Sequence, residues 1–123
     1  MLPAPLAVMA LVLTVATGPG RELTAPVTPL SAQQKSAAMQ PLVRSATECI
    51  ARTVTSDPRF GQPSADLGDL IVASMSTCTA QVRAMIDAYD DYFGAGEGEA
   101  FFMGPYLDVL PTAVSKWVRD AVK

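Results

Sequence analysis

The chain has 123 residues, half of them apolar and 17% charged, with a net charge of −3 and no histidine. That length is enough for one domain. The missing imidazole excludes a Ser-His-Asp triad and His-ligated zinc or haem, and two cysteines cannot build a four-thiolate metal site. The acidic balance leaves no electrostatic footprint for nucleic acid.

Residues 1–20 carry no charge, and Leu6 to Ala16 (LAVMALVLTVA) is an unbroken apolar run of 11 residues. This matches the hydrophobic core of a signal peptide and is too short to cross a bilayer as a helix. Small residues and a Pro19-Gly20 break follow, so 1–20 is read as a cleaved signal peptide. No Lys or Arg precedes the run, which leaves an uncleaved leader acting as an anchor as one alternative; the other makes residues 6–16 a buried helix, but Pro3, Pro5, Pro19, Pro26 and Pro29 isolate the run. Arg21 to Leu30 holds two prolines, two threonines and no periodicity, and residues 21–36 are read as a flexible linker. The helical domain is expected over 37–123, in the periplasm or secreted.

In the first predicted helix, Met39, Leu42, Val43, Ala46, Cys49, Ile50, Thr53 and Val54 recur at intervals of three and four. They define one face, and Arg44, Glu48 and Arg52 form a possible charge ladder on the other. Pro41 either starts this helix or kinks it. Its end is expected at Ser56-Asp57-Pro58, because a residue before proline is pushed out of the helical region. Ser64 is the expected N-cap of the next helix, with Asp66 and Asp69 near its first turn. Its apolar stripe runs from Leu67 to Phe93 and ends at Gly94.

Cys49 and Cys78 both fall on apolar stripes, and an even cysteine count in an exported chain points to a disulfide. In two straight antiparallel helices they would sit out of register by roughly 9 Å, too far to bond. The hydroxyl-rich stretch Ser74-Met75-Ser76-Thr77-Cys78-Thr79 is the weakest helical segment. A break there is therefore predicted, giving helices 65–74 and 79–93. The last segment follows the turn Gly94-Ala95-Gly96-Glu97-Gly98, is punctuated by Gly104-Pro105, and continues as a third stripe from Leu107 to Ala121. Pro111 fits if it lies in a first turn. The fold class is all-α, a small disulfide-stapled bundle of three to four helices.

Between residues 65 and 110 there are eight acids and one base. Asp87, Asp90, Asp91, Glu97 and Glu99 cluster at a helix C-terminus, where the dipole disfavours anions. Solvation, with pairing to Lys116, Arg119 or Lys123, is the simplest expectation. A basic protein partner is the functional alternative, and the spacing does not fit a calcium loop. Seven of the eight aromatic residues lie between Tyr89 and Trp117, which points first to core packing and second to a ligand groove. No residue is assigned a catalytic role, and no metal or cofactor is expected. The leading functional expectation is a non-enzymatic protein-binding module. Its candidate surface comprises Asp87, Asp90, Asp91, Glu97, Glu99, Phe101, Phe102 and Tyr106. An envelope stress or chaperone-like protein and a small-ligand or cation binder are the alternatives.

Overall fold

A computed structural model describes residues 29–121. The expected signal peptide 1–20 and the linker up to residue 28 lie outside the described residues. The helices are α1 (Ala32–Ser56), α2 (Leu67–Ser74), α3 (Thr79–Phe93), α4 (Glu97–Phe101) and α5 (Leu107–Ala121). A π-helical turn, Phe102–Tyr106, joins α4 directly to α5, so the bundle has four helical segments and, among the described residues, no strand.

Helix α1 starts earlier than the expected domain boundary at residue 37. Ser31 Oγ accepts the Gln34 N–H at 3.1 Å, and Gln34 Oε1 accepts the Ser31 N–H at 2.8 Å. This reciprocal capping box satisfies two otherwise orphaned donors, so residues 32–36, read as linker, are helical. The signal Ser-x-x-Gln was present in the sequence. Pro41 lies inside α1, and the bond it cannot donate falls on Ala37, an exposed residue whose carbonyl water can reach.

At the far end, Asp57 is extended (φ −71°, ψ 131°), as its position before Pro58 requires. Its carboxylate accepts from the Arg59 backbone and guanidinium, and these hydrogen bonds hold the Asp57 carboxyl below its ordinary value. Successive turns then carry the chain to Asp66, the residue that flanks α2. The expected Ser64 cap is not formed. Ala65 N–H bonds back to Gln62 O, which extends the turns past Ser64.

The break between α2 and α3 falls where the sequence placed it. Ser74 is buried, and its hydroxyl donates to the Ile71 carbonyl at 2.6 Å. Thr79 Oγ1 donates to Met75 O at 3.0 Å, so side chains serve carbonyls as the helix opens. The bend brings Cys78 to Cys49, with Cα atoms 5.8 Å apart and the disulfide formed.

Helix α1 is the central element and packs against α2, α3 and α5. Its Met39, Ala46, Ile50 and Val54 meet Leu70 and Ile71 of α2, Val82 and Met85 of α3, and Leu110 and Val114 of α5. Ile50, Met85 and Leu110 are fully buried, and truncating any of them to alanine should cost roughly 2–5 kcal/mol. No helix among the described residues is long and apolar enough to cross a membrane.

Gly104-Pro105 does not end a helix, contrary to the punctuation read from sequence. The Leu107 N–H reaches the Phe102 carbonyl, five residues back, so the chain widens into a π turn around the missing proline donor. Pro111 therefore lies within a continuous helical segment and not in a first turn.

Candidate functional site

Two glycines with positive φ, Gly94 (+126°) and Gly96 (+85°), reverse the chain after α3 and lay α4 back against it. The approach is close at Gly98, which is buried. A Cβ there would collide with the Ile86 carbonyl oxygen and stand 2.8 Å from Asp90 Oδ1. That same Asp90 oxygen accepts the Gly98 N–H at 2.6 Å. Asp90 is thus a latch that satisfies a first-turn donor of α4 and ties it to α3.

The remaining carboxylates of the run behave differently. Asp87, Asp91, Glu97 and Glu99 are exposed and form no ion pair among the described residues. Lys116 and Arg119 do not reach them, and Lys123 lies outside the described residues. Arg44, Glu48 and Arg52 of α1 likewise form no ion pair among the described residues, so the expected ladder is not closed.

The aromatic side chains form a connected stack that joins α3 to the last helical segment. Tyr89 contacts Phe93 and Phe101, each at a centroid distance of 4.5 Å, and Tyr106 sits 5.9 Å from Phe101 and 5.8 Å from Phe102. Core packing accounts for most of this cluster. Lys35 of α1 caps its outer end, with Nζ 5.5 Å from the Phe93 ring centre.

Tyr106 is only 3% exposed, with its hydroxyl 2.9 Å from Thr47 Oγ1. Thr47 spends its single hydrogen on the Val43 carbonyl at 2.7 Å, so Tyr106 is the donor in that pair. Burial raises the Tyr106 pKa. As a binding anchor, Tyr106 is corrected to a core residue. A partner cannot reach it.

A groove of about 400 Å³ opens between α3 and α4. Met75, Val82, Ile86 and Phe102 make its apolar surface, Thr79 and Arg83 line it, and Asp87 and Glu99 contribute the acids. The structure therefore gathers Asp87, Glu99 and Phe102 from the expected surface. It leaves Asp91 and Glu97 outside this lining, turns Phe101 toward a smaller cleft beside Met39 and Val43, and withdraws Asp90 and Tyr106.

Met75, Val82 and Ile86 were not expected at a site, because the stripe from Leu67 to Phe93 reads as one core face, and Thr79 and Arg83 lie off that stripe and carried no site expectation. The missed signal is its width. Cys78, Met85 and Tyr89 suffice to face α1, whereas Met75 and Ile86 extend the stripe sideways toward α4.

Among the described residues no group of three or more His, Cys, Asp or Glu side chains could hold a metal ion. The carboxylates Asp87 and Glu99 are exposed at the groove. Comparison of the chain with protein-family models, curated proteins and solved structures finds no match.

Proposed function

We propose that the chain is an exported, non-enzymatic module that binds another protein through its α3–α4 face. The observation that carries this reading is the groove between those helices, apolar on its floor and acidic at its rim. Such a surface desolvates apolar anchors at its centre while its charges set orientation and association rate. The Cys49–Cys78 disulfide supports a periplasmic or secreted location, since such bridges persist in oxidising compartments.

Two experiments test the reading. Intact mass of the protein from its native host, with and without reductant and alkylation, should show loss of residues near 1–20 and two blocked thiols. Full length with two free thiols would remove the compartment. A photo-crosslinker at Arg83 in that host should trap a protein partner, while one at Asp69, away from the groove, should not. Equal trapping at both positions, or none at Arg83, would discard the α3–α4 face.

A further inference from the structure

Resting on that reading of the α3–α4 face, we propose that its occupant is an amphipathic helix of a partner protein. That helix would present apolar side chains at i and i+4, flanked by lysine or arginine.

Shape carries the first half of the proposal. The lining residues Thr79, Val82, Arg83, Ile86 and Asp87 follow α3 for roughly two turns, about 12 Å, and Glu99 and Phe102 stand one turn apart on the facing wall. A trough of that length between two helices accepts side chains spaced by one turn on a third. Among the described residues there is no strand, so no sheet edge competes as a docking mode. Met75 supplies a flexible, polarizable end to the floor, which tolerates different apolar anchors.

Charge carries the second half. Asp87 and Glu99 line the groove, Asp91 lies one turn beyond Asp87, and Arg83 is the one base in the lining. A second copy docked by this same face would bring the same carboxylates against them, a like-charge contact that is disfavoured. The wider trough between α1 and α5, about 520 Å³, mixes Arg44 and Lys116 with Glu48 and Asp120 and selects neither sign.

The test titrates the full chain, labelled with ¹³C at its methionine methyls, with a panel of short peptides. The panel contains cationic amphipathic helices with Leu at i and i+4, scrambled versions of equal charge, and patterned acidic versions. Octylammonium serves as a small hydrophobic cation. The patterned cationic peptides should shift the Met75 methyl and leave the core methyls of Met39 and Met85 in place. Asp87→Asn/Glu99→Gln should weaken that binding roughly tenfold. Asp66→Asn/Asp69→Asn, which changes net charge equally far from the groove, should leave it unchanged.

Scrambled peptides that bind as well as patterned ones would overturn the helical occupant while leaving the docking face intact. Acidic peptides that bind as well would overturn the charge assignment. Octylammonium shifting Met75 where every peptide fails, together with no crosslink at Arg83, would overturn both the occupant and the protein-binding reading.

Discussion

Between Ser74 and Thr79 the chain carries neither proline nor glycine, yet the helix breaks; between Phe102 and Tyr106 it carries both, and the helix continues through a π turn. Glycine and proline content alone predicts the reverse. The difference lies in what each segment must place. At the first interruption Cys78 must meet Cys49, and a straight helix from 67 to 93 would carry it out of register. Hydroxyls of Ser74 and Thr79 make opening cheap by serving the freed carbonyls. At the second, Tyr106 must reach Thr47 inside the core, and one widened turn accommodates Pro105 without losing the helix axis. Tertiary anchors choose, and local sequence sets only the cost.

The largest expected effect follows from removing the first anchor. Cys49→Ser/Cys78→Ser opens a loop of 29 residues, which in the chain-entropy model costs about 3.5 kcal/mol. Urea unfolding of the variant against wild type measures it. Amide exchange should rise at residues 74–79 before it rises in the π turn, and equal acceleration at both would dissolve the contrast.

Next comes Gly98→Ala, which places a methyl against the Ile86 carbonyl and the Asp90 carboxylate. Overpacking of this kind should cost about 2 kcal/mol. It should also push α4 from α3, so peptide affinity at the groove falls together with the urea midpoint. Affinity that holds while stability drops would separate the groove from the Asp90 latch.

Tyr106→Phe removes the donor to Thr47 and should cost about 1 kcal/mol near neutral pH. It also tests a pH dependence whose sign is fixed. Burial raises the Tyr106 pKa above the unfolded value, so the folded state holds this proton more tightly. Its contribution is complete below the ordinary tyrosine range, near pH 10, and is lost as pH rises through the folded value. Denaturation at pH 9 and pH 11 should show a steeper decline for wild type than for Tyr106→Phe.

The smallest effect belongs to Ser76→Ala/Thr79→Ala. Both residues are exposed, and lost hydroxyl bonds trade against better helix propensity, so stability should stay within about 0.5 kcal/mol of wild type. Amides 75–79 should keep the same exchange pattern. A helix that extends across the break in this variant would return the decision to the hydroxyls.

The candidate surface divides along the same line. Asp87, Glu99 and Phe102 were legible as acids and an aromatic gathered around a turn, and the groove includes them. Asp90 looked like its neighbours Asp87 and Asp91, because nothing in a run of carboxylates marks the one that will meet a backbone N–H eight residues on. Tyr106 could not be told from Phe101 or Phe102, since burial depends on where the Thr47 hydroxyl stands on another helix.

From the sequence alone came the helical periodicities, the end of α1 before Pro58, the Cys49–Cys78 pairing and the break that this pairing demands. These follow from spacing along one chain: a 3.6-residue repeat, a restricted residue before proline, and a distance that straight helices cannot satisfy. Tertiary structure decided the course through Gly104-Pro105, the seating of Gly98 against Ile86, the Asp90 latch and the groove that α4 closes against α3. Each depends on two segments meeting in space, where a missing side chain or a single carboxylate oxygen fixes the separation. Periodicity reports which face a residue occupies and leaves open what stands opposite it.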